Sequence, residues 1–265
     1  MTNIASLPTL ADFSAKITSA SVSQITNDLT LGGSLRLATE GPITTSYAPF
    51  ETINEKAKVV ICGITPGRRQ ATDALLEARR QLLRGADVAS AARAAKATAS
   101  FAGSMRANIT AMLDYLGLHE KLGIQSSAGL FGSSAHLVHY TSAIRYPTFV
   151  GAKDYGGSSP PMTSSPLLKS FITSSLVEEA IALPNALWIP LGGKVEEAIQ
   201  LLVGKGLIRP ERVLTGMPHA SGANAERIAY FLERKQRALL SQKTNAAIID
   251  TGREKARRIV SNLAL

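Results

Sequence analysis

A chain of 265 residues is long enough for one large domain or two small ones, and its 45% hydrophobic content supports a sizeable core. One cysteine, Cys62, excludes an intramolecular disulfide framework and any cluster held by several thiolates. The net charge of +9 concentrates in two segments: residues 61–110 hold 8 basic and 3 acidic side chains and residues 201–265 hold 12 and 5, against 4 and 5 in 1–60 and 5 and 7 in 111–200.

In chain order, Met1 to Ala20 lack the basic start and apolar run of a signal peptide. No stretch reaches the roughly 20 apolar residues that span a bilayer. The expectation is a soluble cytoplasmic protein with no membrane partner. Residues 1–54, rich in Ser, Thr and Gly, read as an irregular N-terminal arm with short helical or extended pieces, packed on a body formed by 55–265. Lys58-Val59-Val60-Ile61-Cys62 is an apolar run ended by Gly63 and predicts a buried strand. Residues 72–84 and 87–99 read as helices broken at Gly85, and 104–116 as a helix with Met105, Ile109, Met112 and Leu116 on one face. Residues 135–144 read as a second strand, 151–166 as a Gly/Pro/Ser loop and 186–191 as a third strand. Val195, Ala198, Ile199 and Leu202 form a helical stripe. Residues 212–216 read as a fourth strand, 224–240 as a helix and 245–262 as a basic C-terminal helix. Strands alternating with helices predict a parallel sheet covered on both faces, with ligands bound beyond the carboxyl ends of the strands.

Two strand-to-loop junctions carry candidate chemistry. In Gly63-Ile64-Thr65-Pro66-Gly67, two glycines and a proline set a tight turn that lets backbone N–H groups approach a ligand; alone, the segment reads as a structural turn. In Gly216-Met217-Pro218-His219-Ala220-Ser221-Gly222-Ala223-Asn224, a histidine among small residues follows a strand and precedes a helix. Ser221 or Asn224 is placed to cap that helix. The segment reads equally as a helix start with an incidental histidine. His136 and His139, three apart on a predicted strand, point to opposite faces and make a poor metal pair. Trp188 reads as core.

Together these junctions resemble the two signature motifs of the uracil-DNA glycosylase superfamily: GITPG is similar to the GINPG of its mismatch-specific branch, and PHASGAN to the HPS motif with its small-residue loop. The stretch Ser100 to Leu118 is similar to a segment of the thermostable branch, and Tyr140 to Pro147 resembles the strand that carries the base-reading asparagine. The resemblance implies an α/β fold, a three-layer α/β/α sandwich with a central, mainly parallel four-stranded sheet, with residues 70–99 as a helical insertion. It implies a DNA glycosylase that hydrolyses the N-glycosidic bond of an extruded uracil or modified pyrimidine, needs no cofactor and acts as a monomer. The duplex hides that bond, so the base must be extruded, and donors near the base oxygen stabilise the charge left on the departing base.

By position, His219 is the implied donor and Thr65 the implied water-positioning residue. Gly63, Ile64, Pro66 and Ser142 line the implied base pocket, and Phe101 stacks on the base; Tyr155, in the loop after the second strand, reads equally as a pocket residue and as a surface tyrosine. Ser221, Gly222, Ala223, Asn224, Arg227 and Arg68 contact DNA. Thr65 replaces the family's Asn, Asp or Glu and is no strong base at neutral pH, which opens the alternative that Asp154 is recruited; by itself Asp154 reads more readily as a loop-tip charge. Ser142 stands where the asparagine is expected, which points to a roomier pocket and a bulkier base, such as the modified pyrimidines of some phage genomes. Repair and defence against phage DNA both fit. A sensor of damaged or modified bases with weak or no catalysis is the second reading.

Overall fold

The computed structural model describes residues 7–30, 32–100 and 104–264. In chain order these form α1 (Leu10–Ser19), α2 (Val22–Asn27), β1 (Arg36–Glu40), β2 (Ile43–Ser46), β3 (Val59–Gly63), α3 (Arg68–Leu83), α4 (Val88–Ala99), α5 (Ser104–Tyr115), α6 (Leu118–Lys121), β4 (Val138–Ser142), β5 (Thr148–Val150), β6 (Lys153–Asp154), α7 (Pro166–Phe171), α8 (Val177–Ala182), β7 (Leu187–Pro190), α9 (Gly193–Gly204), α10 (Ala225–Phe231) and α11 (Ala246–Ser261). The chain divides into two compact units, one of Met1–Ile53, Ile64–Ser100 and Thr141–Glu179, the other of Asn54–Gly63, Phe101–Tyr140 and Ala180–Leu265.

The first unit holds an antiparallel sheet in the order β1-β2-β5-β6. Its strands are short and rich in Thr and Ser, with Thr45 opposite Thr148 and their hydroxyls 3.1 Å apart. Residues 1–54, read as an irregular arm, therefore supply α1, α2 and two strands of this sheet. The loop expected over 151–166 contains β6, paired with β5. Helix α1 starts with a capping box, in which the Thr9 N–H and hydroxyl both donate to Asp12 at 2.8 and 3.0 Å. Helices α3 and α4 pack on each other through small residues, Ala71, Ala74 and Ala78 on one and Ala91, Ala92, Ala95 and Ala99 on the other, all buried. Small side chains let the two backbones approach, and Gly85 at φ +86° makes the reversal between them.

The second unit is built on a small parallel sheet in the order β4-β3-β7. Val59 pairs with Leu187 and Ile61 with Ile189, and β3 is buried over Val59 to Cys62, as its continuous apolar run requires. The expected fourth strand at 212–216 is reduced to a single bridge between Trp188 and Val213 and one Leu214 N–H donated to the Trp188 carbonyl at 2.8 Å. Gly216 at φ +93° and Pro218 turn the chain away before a ladder can form. Hence the sheet has three strands where four were expected. Leu113, Met112 and Ile109 of α5, Ile228 and Phe231 of α10, and Ile249, Ala256 and Val260 of α11 enter one core with the strands. Trp188 is 1% exposed.

Two further boundaries differ from the sequence reading. The helix expected over 224–240 stops at Phe231, because Glu233 takes a left-handed φ of +59°. His136 lies on a short 3₁₀ turn, Ala135–Leu137, and not on a strand; buried His139 on β4 accepts the Asn54 N–H at Nδ1, 3.3 Å. Among the described residues no His/Cys/Asp/Glu group fit to hold a metal occurs, and no helix is long and apolar enough to cross a membrane.

Candidate functional site

The loop after the Trp188–Val213 bridge carries His219, and three contacts within the second unit shape it. At its base, Gly216 touches Gly252 of α11 backbone to backbone: a Cβ on Gly216 would stand 2.3 Å from the Gly252 carbonyl oxygen, and a Cβ on Gly252 would stand 2.4 Å from that of Gly216. Both positions therefore demand glycine. In mid-loop the Ala220 carbonyl accepts the side-chain N–H of Asn108 from α5 at 2.8 Å. The imidazole lies against Gly192, the second of the two residues between β7 and α9.

His219 is half-buried, and its Nδ1 accepts the Ser221 N–H at 3.1 Å. Burial pushes its pKa below the ordinary histidine value. With Nδ1 committed as an acceptor, the neutral ring carries its proton on Nε2, a donor suited to an oxygen that gains negative charge. Beyond it, Gly222 and Ala223 are exposed on a 3₁₀ turn, Gly222–Asn224. Neither Ser221 nor Asn224 caps α10 through its side chain. Instead Asn224 donates its side-chain N–H to the Ser221 hydroxyl at 3.1 Å and accepts from Arg227 at 2.9 Å. The exposed Arg227 also donates to the Lys243 carbonyl at 3.2 Å.

The GITPG segment begins with Gly63 at the end of β3 in the second unit; Ile64 to Gly67 belong to the first. Within the first unit the Ile64 carbonyl accepts the Ile144 N–H at 3.0 Å, and Pro66 is buried. The Thr65 hydroxyl donates to the Tyr146 carbonyl at 2.8 Å. Its proton is thereby engaged, and only its lone pairs remain to orient a water. Asp154, on β6, accepts the Arg68 N–H at 3.2 and 3.3 Å and so serves the start of α3; a Cβ on Gly67 would stand 3.0 Å from its carboxylate. Exposed Arg68 also places its guanidinium 4.5 Å from the centre of the Phe149 ring. Ser142, half-buried, ends β4. Tyr155 is buried, donates to the Pro160 carbonyl, and has its phenol pushed up to about 12 by burial. Phe101 lies outside the described residues.

Sequence reasoning missed several residues. Gly192, Asn108 and Gly252 support the His219 loop, and for Gly192 a signal was present, since Leu191-Gly192-Gly193 is a third glycine-bearing junction between strand and helix. A buried ionic cluster in the first unit gave no signal. Arg145, 2% exposed, contacts Glu178 at 2.8 Å and Glu179 at 2.9 Å, and donates to the Ser175 carbonyl at 3.0 Å. That carbonyl belongs to a π-helical turn, Ile172–Leu176, whose wider winding frees backbone acceptors. Lys96, nearly buried, donates to the Thr52 carbonyl at 2.6 Å, and burial lowers its pKa to about 8.

No family model matches the chain, and no solved structure matches it. It is 37% identical over 248 residues to the "Uncharacterized protein YoxB" of Bacillus subtilis (strain 168), an alignment that covers 93% of this chain and 96% of that protein. With nearly the whole length of both chains aligned at that identity, this chain belongs to the YoxB family.

Proposed function

We propose that the chain is a DNA glycosylase that hydrolyses the N-glycosidic bond of an extruded uracil or modified pyrimidine and leaves an abasic site. The parallel sheet of the second unit is, in this reading, the centre of a uracil-DNA glycosylase-like sandwich. The observation that carries the proposal is the geometry of His219: a half-buried imidazole whose Nδ1 accepts the Ser221 N–H, so that the neutral ring offers Nε2–H as its donor. Breaking the glycosidic bond leaves negative charge on the base, and a fixed neutral donor stabilises that charge in the transition state more than in the ground state. The neighbouring Arg227 and the exposed turn at Gly222 and Ala223 supply groups for phosphate contact and for the space an extruded nucleotide vacates.

The test is excision from duplexes that contain uracil, hypoxanthine, 5-hydroxymethylcytosine or its glucosylated form, read as strand breaks after alkali. The wild-type protein is expected to break at least one of them, and His219→Ala to lower the rate on the order of 100-fold. A wild-type protein that breaks none of the four sinks the proposal for this panel. The bond from Thr65 to the Tyr146 carbonyl favours a second reading, a sensor that binds such duplexes without cutting them. Tight binding in the absence of breaks would select it.

A further inference from the structure

We infer that Gly192 is a positioning residue for His219; its effect on excision rests on the glycosylase reading, whereas the contact itself does not. Gly192 adopts φ +99° and ψ 162°, a conformation essentially confined to glycine. A Cβ built on it would stand 2.8 Å from His219 Cδ2 and 3.4 Å from both Cβ and Cγ of that residue. Real Cβ atoms do not approach so closely, so the imidazole occupies the space a side chain at 192 would take. One flank of the ring rests on bare backbone where β7 passes into α9, and Nδ1 is tied to the Ser221 N–H at 3.1 Å. These two constraints act on different torsions. The flank limits the swing of the ring about χ1, and the hydrogen bond fixes its rotation about χ2, so a single orientation remains and Nε2 keeps one direction. A reacting group must be held within about 0.5 Å of its productive place. The loop's other anchors, Asn108 on Ala220 and Gly252 on Gly216, hold backbone only; Gly192 bears on the ring.

The closing experiment is a double-mutant cycle read by thermal unfolding, paired with ¹⁵N NMR of the histidine rings. Gly192→Ala introduces both backbone strain and the ring collision. His219→Ala removes the collision and leaves the strain. The fall in Tm caused by Gly192→Ala is therefore expected to be smaller, by several degrees, in the His219→Ala background than in the wild type. A Gly192→Ala protein that folds only when His219 is also Ala gives the same answer. Equal falls in both backgrounds, or loss of folding in both, would overturn the inference, because the backbone alone would then account for the glycine. In the folded Gly192→Ala protein the His219 ring, assigned by comparison with His219→Gln, is expected to lose its single-tautomer signature and to titrate at higher pH; resonances unchanged from wild type would also overturn it. On a cleavable duplex, Gly192→Ala should lower kcat at least about tenfold with KM nearly constant. No readout of stability or NMR needs DNA, so a wild-type protein without excision activity would sink the glycosylase reading while these measurements still decided the role of Gly192.

Discussion

Lys96 shows how a residue can matter without any motif around it. Its amine is nearly buried, and desolvation outweighs the opposite charges of Glu179 and Glu51, which raise its pKa, while Arg145 adds to the lowering. The folded-state pKa of about 8 lies below the unfolded value of 10.5, so between these values the unfolded chain binds more protons. Stability should consequently rise with pH from about 8 to 10, by on the order of 2 kcal/mol. Above 10 the trend is opposed by Tyr47 and Tyr146, whose buried phenols keep their protons after those of the unfolded chain have left. Urea unfolding at pH 8 and pH 10 measures this, and Lys96→Met should abolish the gain. A wild-type stability that is flat over this window would show that the amine is better solvated than its burial indicates. Among the candidate site residues, His219 and the PHASGAN loop were legible because glycine and proline punctuate a strand end. Gly192 stood at a similar junction, but its contact with His219 was not legible, because the ring lies 27 residues further along the chain.

At the scale of elements, packing rather than propensity sets the tolerances. Helices α3 and α4 meet through alanines, with Ala95 and Ala74 both at 0% exposure. Ala95→Leu is expected to cost about 1–3 kcal/mol by overpacking, seen as a lower urea midpoint with an unchanged slope. A neutral result would mean that the pair has room to part. The helices with a 3.6-residue apolar period, α3, α4, α5, α9 and α11, were legible to within a few residues, since periodicity survives without knowledge of the partner. The antiparallel sheet was not. Its strands run to at most 5 residues, β1 reads Arg-Leu-Ala-Thr-Glu, and β6 has only Lys153 and Asp154, too short for any alternation to register. The turn of π-helix was invisible for a related reason: one extra residue in a helical winding leaves no mark on composition.

For the molecule as a whole, charge is the property most open to measurement. The +7 balance of residues 201–265 includes the exposed Arg227, Arg234 and Arg258, although Lys235 is already matched by Glu226 at 2.7 Å, and Arg253 and Arg237 by Asp250 at 2.6 and 3.6 Å. If the unmatched cations meet at least two phosphates, affinity for a duplex should fall at least about tenfold between roughly 50 and 200 mM salt. Fluorescence anisotropy with a labelled duplex reads this directly, and a salt-independent affinity would remove nucleic acid from the partners considered. A parallel sheet was anticipated from strands alternating with helices, but the two-unit division was not, because each unit draws on three stretches of chain and no composition shift marks the joins.

Through the contact of Gly216 with Gly252, the backbone of helix α11 is the floor on which the histidine loop stands. Trimming it would act as a lesion in that loop, and a lone methyl group at residue 252 would jam the same floor from below.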